Sequence, residues 1–410
     1  MKSKAGITLL LASALAVVAV AAAAAAVKSP SAPSKSVAGL ASCRSASIAF
    51  AGPVTGPAAF LGLDQQHWVN TFINFWNNGK AIPGVPKGLK RVKLKLGLIG
   101  DSQLNPQVSA TVAGQITANK ALLALVGFAG SNENLGGGPV LDRAGMAYVT
   151  GSATADQLTK QLKGFFRVVP NNTKQAQGGV GYIFKKLGVK RGDQVMVVDD
   201  AEAYGQGIAT AAQKLFAAGG AKVDRESVPE STSSATADFT SIAQKAVALR
   251  AKVVYAPTQV ASDSNLFANQ LKTAGYSGIF FATDGSLDST AFKFPGAYIS
   301  FFGTDVYQLA VAKPFVKYYV KKYGKTTPFG APSFVAAEMI AVAISKTCTG
   351  HSTTSRAAVK KALATTSLPS TILGHAVAFD NKGDVVKGPA RGVTVFKIQA
   401  NGTYKLVYTA

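Results

Sequence analysis

The sequence predicts an α/β protein built as two doubly wound lobes. Three observations carry that reading. Short apolar runs, such as residues 122–126 and 194–198, alternate with segments of helical periodicity, which implies parallel sheets covered on both faces. Many of these runs end in turns of small polar residues, the place where an open α/β sheet presents its binding edge. The rhythm lapses at Val169-Pro170 and then restarts, in a chain of 410 residues that exceeds one ordinary domain.

Taken in order, residues 1–27 read as a secretory signal, with Lys2 and Lys4 ahead of an uncharged apolar run that ends in an alanine tract. An uncleaved anchor is the alternative, since that run is long enough to span a bilayer. Residues 28–42, dominated by Ser, Pro, Ala and Lys, read as a flexible tether. A strand at 47–51 runs into a Gly-Pro turn and a helix through Asn77. Trp68, Phe72, Phe75 and Trp76 fall at helical spacing on it and predict a core stripe. A strand at 92–98, an Asp101-to-Pro106 turn and a helix at 107–122 follow. Strands at 122–126 and 146–149 flank a helix at 135–144. After the lapse come helix 173–187, strand 194–198, helix 206–218, strand 222–228, helix 237–249, strand 252–256, helix 262–274 and strand 279–282. A strand at 298–303 precedes helices at 313–323, 332–346 and 355–365 and a strand at 376–379. The chain closes in a hairpin, 393–399 and 404–408, predicted to turn on the two residues Asn401-Gly402.

Composition excludes several classes. Forty-three basic against 20 acidic residues give a net charge of +23. The Lys pairs at 185–186, 321–322 and 360–361 are scattered and form no aromatic-interleaved patch, so no nucleic-acid partner is expected. A basic exported protein facing an anionic envelope accounts for the charge. Two cysteines and three histidines, too few and too scattered overall to supply a zinc ligand set, predict no metal site, and no cofactor is expected. Gly205-x-Gly207 lacks the third glycine of a dinucleotide loop, and Gly136-Gly137-Gly138 lacks the Lys-Ser/Thr of a phosphate loop. No Gly-x-Ser-x-Gly elbow is present, which argues against a hydrolase. The pair Asp199-Asp200 suggests either a metal pair or, more simply, solvated or helix-capping carboxylates.

Between the strands at 122–126 and 146–149 and the helices after them lie two polar turns. They contain Ser131 and the run Thr150-Gly151-Ser152-Ala153-Thr154. As residues alone, these are either helix caps or a carboxylate-binding surface. Their pattern resembles the ligand loops of the branched-chain (leucine/isoleucine/valine) amino-acid-binding proteins of ABC importers. Other segments match that family in the same order: the opening Gly52-Pro53 turn, Phe165-to-Pro170, Thr283-Asp284-Gly285 and the Asp380-to-Gly383 turn. The resemblance covers nearly all of residues 42–410. It implies the type I periplasmic-binding-protein fold, two Rossmann-like lobes joined by a hinge of three crossings near Val169, Thr304 and Gly392. Lobe 1 would comprise residues 43–169 and 305–391, and lobe 2 residues 170–304 and 392–410.

The resemblance also implies a site in two halves. Ser131, Ser152, the Ala153 backbone and Thr154 would hold an α-carboxylate, and Asp284 with Tyr204 would receive an α-ammonium. Around Thr258-Gln259 the family's aromatic is replaced, which puts Gln259 at the site, and Leu61 stands where the family carries a lid aromatic. Asp284 is shorter than the family's usual Glu, and Glu133 adds a carboxylate near the cleft, so a more polar or cationic ligand is open. An exported, monomeric binder serving an ABC permease is the implied function, with an amide- or urea-type binder of the same fold as the alternative. Leu40-Ala41-Ser42-Cys43 matches the residues of a bacterial lipobox, but prolines and Lys35 separate it from the apolar run. In an oxidising envelope a Cys43–Cys348 disulfide is the favoured expectation.

Overall fold

The computed structural model describes residues 40–387 and 393–409. The expected signal, most of the tether and the crossing at Gly392 lie outside them. Two parallel sheets organise the rest. In the first, the spatial order is Lys93–Asp101, Ser45–Gly52, Leu122–Gly127, Ala147–Thr150, Phe165–Arg167, all parallel. The second runs Lys222–Ser227, Gln194–Asp199, Val253–Ala256, Ile279–Ala282, Tyr298–Phe301, again parallel. The terminal hairpin, Thr394–Ile398 and Tyr404–Thr409, adds two antiparallel strands at its edge.

Alternation along each central strand explains why helices cover both faces. Ile48 and Phe50 enter one apolar core, while Ala49 and Ala51 enter another. Met196 and Val198 divide from Val195 and Val197 in the same way. A strand's side chains point alternately to opposite faces, so a strand apolar on both must be buried on both. On the first sheet, helices Pro106–Ala118 and Ser131–Arg143 cover one face. Helices Ala59–Asn77, Pro332–Thr347 and Arg356–Ala364 cover the other. The second sheet is covered by Asn172–Lys186 and Ala203–Ala218 on one side and by Thr240–Ala248 and Ala261–Thr273 on the other. The helices from Lys313 to Ala364 therefore return to the first sheet, before the terminal hairpin rejoins the second. Helix Pro332–Thr347 is largely apolar on every side and is buried from Pro332 to Ser345, as a central helix is, with Glu338 the charged exception.

Polar ties fix that return. Asp64, in helix Ala59–Asn77, accepts hydrogen bonds from the Tyr319 hydroxyl, from Thr326 Oγ1 at 2.9 Å and from the Gly330 amide at 2.6 Å. Thr327 Oγ1 donates to the Leu287 carbonyl at 2.7 Å, joining the same segment to the second sheet's loops. At the chain crossings, Thr394 Oγ1 donates to the Gly303 carbonyl at 2.7 Å.

Several expectations are corrected. The tether does not extend to residue 42: Leu40–Ser42 is a strand, antiparallel to Thr353–Ser355. Cys43 follows it directly and is disulfide-bonded to Cys348, the pairing that was expected. The terminal hairpin does not turn on two residues. Gln399 and Thr403 close a three-residue loop whose last member, Gly402, has φ of 77°, the left-handed position that a bulged three-residue turn requires. Residues 131–134, expected in a loop, open helix Ser131–Arg143, because the Glu133 carboxylate reaches back to accept from the Gly130 amide. A small three-stranded sheet, Ser367–Leu368, Val377–Phe379 and Val385–Lys387, was expected only at its middle strand.

Candidate functional site

Each parallel sheet has one point where successive strands depart to opposite sides. In the first, Ser45–Gly52 is flanked by Lys93–Asp101 and Leu122–Gly127. In the second, Gln194–Asp199 is flanked by Lys222–Ser227 and Val253–Ala256. The loops leaving the carboxyl ends diverge at such a point and open a crevice. A cavity of about 370 Å³ spans the two crevices. Residues 55–58 and 103–106 line it from the first sheet, and residues 200–202, 229–233 and Val260 from the second.

The backbone at this cavity is held in costly conformations. Four non-glycine residues among those described have left-handed φ, and Gln103, Leu104 and Ala201, at 53°, 56° and 62°, all line the cavity. Each such residue costs of order 1–3 kcal/mol, so the surroundings must enforce it. Asn105 N donates to Ser102 O at 2.8 Å, closing a mirror-image turn around Gln103-Leu104. Asp101 pins that turn to its neighbour, accepting from the Gln103 amide at 3.2 Å, the Val54 amide at 2.9 Å and the Thr55 hydroxyl. Asn132 crosses the gap: its Nδ2 donates to the Leu104 carbonyl at 2.7 Å and to Glu202 Oε2 at 3.1 Å.

The residues expected at the site are all buried, not lodged in open turns. Tyr204 and Asp284 meet. The Tyr204 hydroxyl lies 2.8 Å from both Asp284 Oδ1 and Thr283 Oγ1, and it accepts from the Gly285 amide at 3.2 Å. Burial pushes the Asp284 carboxyl up to about 7, while the Tyr204 hydrogen bond acts the other way. Burial, then the nearby Asp284 charge, raises the Tyr204 phenol well above its ordinary value.

The other half is knit to itself. Ser131 Oγ accepts from the Thr154 and Ala155 amides at 3.3 and 3.1 Å. Ser152 Oγ donates to the Ala129 carbonyl at 2.7 Å, and the Ala153 amide donates to Thr150 Oγ1 at 3.0 Å. Thr154 Oγ1 is buried with no hydrogen-bond partner among the described residues, as is the side-chain nitrogen of Gln259. None of the seven lines the 370 Å³ cavity, but two adjoin it in the chain: Gln259 precedes Val260, and Tyr204 follows Glu202 by two. Asn172 joins the halves, its amide donating to the Thr154 carbonyl at 2.8 Å and its Nδ2 to the Tyr204 carbonyl at 3.0 Å.

Asn132 and Asn172 were missed in the sequence, where an Asn at a helix start is indistinguishable from an ordinary cap. The pair Asp199-Asp200 is corrected: neither is solvated. Asp199 is ion-paired with Arg225 at 2.9 Å and accepts from Ser227 Oγ at 2.8 Å. Asp200 Oδ1 accepts from the Glu202 amide at 3.0 Å, and its Oδ2 has no partner among the described residues. Only glycine fits at 205, because a Cβ there would lie 2.1 Å from Asp200 Oδ1. No described group of three or more His, Cys, Asp and Glu is placed to hold a metal ion, and no described helix is long and apolar enough to cross a membrane.

Comparison with known proteins agrees with the architecture. The solved leucine-binding protein LivK of Thermotoga maritima superposes with a TM-score of 0.74 at 21% identity, covering 88% of this chain and 98% of that one. An amino acid binding protein of Pseudomonas aeruginosa is 27% identical over 58% of this chain and 60% of its own length. A Leu/Ile/Val-binding protein homolog of Brucella melitensis is 26% identical over 77% of this chain and 82% of its own. The family described as "Periplasmic binding protein" matches residues 45–403, nearly all of the described chain, and the protein belongs to that family.

Proposed function

We propose that this chain is an extracytoplasmic solute-binding protein that captures an amino acid between two lobes and delivers it to an ABC permease. The carrying observation is the buried Tyr204–Asp284 pair set across Asn172 from the unpartnered Thr154 hydroxyl. An acceptor of positive charge on one sheet's loops stands near a free donor on the other's. A zwitterion has the complementary pair of ends, so binding it favours closure of one lobe on the other. The lobes are residues 43–169 with 305–391, and 170–304 with 392–410. Export follows from the signal-like residues 1–27. The matched relatives, named for binding amino acids, support the ligand class.

A thermal-shift screen over amino acids, amides, urea and aromatic acids tests this. An amino acid at about a thousand times its dissociation constant stabilises the protein by roughly 4 kcal/mol, a plain shift in Tm. A shift with amides or urea and none with any amino acid would replace the reading with the amide-binder alternative.

A further inference from the structure

The 370 Å³ cavity has a lining at odds with the rest of the molecule. In a chain of net charge +23, no Lys, Arg or His lines it among the described residues, whereas Asp200, Glu202 and Glu230 do. No aromatic ring lines it either. Its apolar surface comes from Leu104, Val260, two alanines and three prolines, with no large apolar side chain besides Leu104 and Val260.

The fold satisfies these three carboxylates only in part: Glu202 accepts from Asn132 and one Asp200 oxygen from the Glu202 amide, while an oxygen of Asp200 and one of Glu230 have no partner among the described residues. Asp199, Asp263 and Glu133 nearby each have partners: Arg225 and Ser227 hold the first, Ser231 the second, and Ser102 with the Gly130 amide the third. Asp200 differs. It is 1% exposed, lines the cavity, and has an oxygen without a partner among the described residues. Glu230 Oε2 is likewise buried and unpartnered. A buried carboxylate oxygen left without a donor is costly, and two on one cavity wall beside Glu202 repel each other as well. Burial first, and then neighbouring charges, push both upward from the ordinary carboxylate range: Glu202 and Asp199 act on Asp200, and Asp200 and Glu202 on Glu230. One incoming cation removes both costs at once.

This acidic wall is also close to the proposed ammonium site. Gln259 directly precedes the cavity-lining Val260, and Gly285, next to Asp284, packs so tightly on Gln259 that a Cβ at 285 would lie 2.8 Å from its Cα. Two acidic receptors therefore stand on adjoining loops of one crevice. Resting on the reading above that the chain binds an amino acid, we infer that its ligand is a basic amino acid, whose side-chain ammonium or guanidinium sits among Asp200, Glu202 and Glu230 while Asp284 takes the α-ammonium. The length of such a ligand gives it two cationic ends for two separate receptors, which a leucine-like ligand lacks.

Calorimetric titration of the exported protein with lysine, arginine, ornithine and leucine tests the assignment, repeated on Glu230→Gln and Asp200→Asn. At least one basic amino acid binds wild type about thirty-fold or more tighter than leucine, and each variant loses about thirty-fold or more for it while changing leucine affinity little. Glu230 is the more exposed of the two, so its variant keeps the test open if Asp200→Asn does not fold, as checked by unliganded melting. Leucine binding well with basic amino acids weak would overturn this inference and leave the amino-acid reading standing. Basic-ligand affinity unchanged in Glu230→Gln would overturn it too, and no binding of any amino acid would sink both.

Discussion

Asp284 is the residue on which a zwitterionic ligand depends most. Its carboxyl is 2% exposed and is held by the Tyr204 hydroxyl at 2.8 Å, so it meets a ligand ammonium in a place poor in water. Removing one member of a buried charge pair leaves the other uncompensated, at roughly 3–5 kcal/mol. Asp284→Ala therefore lowers amino-acid affinity by about two to four decades. Thr154→Ala removes one hydrogen bond to a charged group and costs less, roughly 1.5–3 kcal/mol. Titration calorimetry separates them, and Asp284→Ala binding like wild type would exclude a zwitterion. The two variants also differ in stability. Thr154 Oγ1 has no partner among the described residues, so losing it costs the fold little. Losing the Asp284 carboxylate leaves the buried Tyr204 hydroxyl with Thr283 and the Gly285 amide.

At the scale of elements, Leu40–Ser42 and the Cys43–Cys348 bond fasten the start of the described chain to the end of the long central helix. The bridge closes a loop of 305 residues, and restricting so long a loop in the unfolded chain favours the folded state. Reduction, or Cys43→Ala with Cys348→Ala, lowers stability by about 2–5 kcal/mol, measured by urea unfolding at constant pH. An intact mass two hydrogens below the reduced chain supports the bridge, and an acylated Cys43 amino terminus refutes it. Most elements were legible in the sequence because their periodicity is strong: helix Lys313–Tyr323 and strand Ile279–Ala282 match residue for residue. What was not legible depends on distant partners. Leu40–Ser42 is a strand only because Thr353–Ser355 lies beside it, and nothing local to Ser-Pro-rich flanking sequence says so. The family resemblance placed Tyr204 near Asp284, and the hydroxyl and carboxyl groups of the two lie 2.8 Å apart. The acidic wall was not anticipated, because Asp200, Glu202 and Glu230 come from two different loops and Asp200 looked like a capping residue.

For the molecule as a whole, buried carboxyls give stability an unusual slope with pH. Burial raises Asp64 from 3.8 to about 6, Glu133 from 4.5 to about 7 and Asp284 from 3.8 to about 7. In each the folded state holds its proton at a pH where the unfolded chain has released it. Their stabilising contribution is therefore complete below about pH 4 and is lost as pH rises through 6 to 7. Each group accounts for up to about 1.4 kcal/mol per pH unit inside its window. The ligand-free protein is accordingly more stable at pH 5 than at pH 8 in urea unfolding, and a flat or rising profile over that range would contradict these burial effects. Ligand binding carries the opposite slope. An ammonium is received by Asp284 only as the carboxylate, so binding must expel its proton below about pH 7. Affinity for an amino acid then rises up to about tenfold per pH unit from pH 5 toward 7 and levels off above it. Melting with and without the ligand across this range reads both slopes in one experiment. Stability of the empty protein falls with pH while the ligand-induced increment grows, a divergence that a neutral solute, indifferent to the charge on Asp284, does not produce.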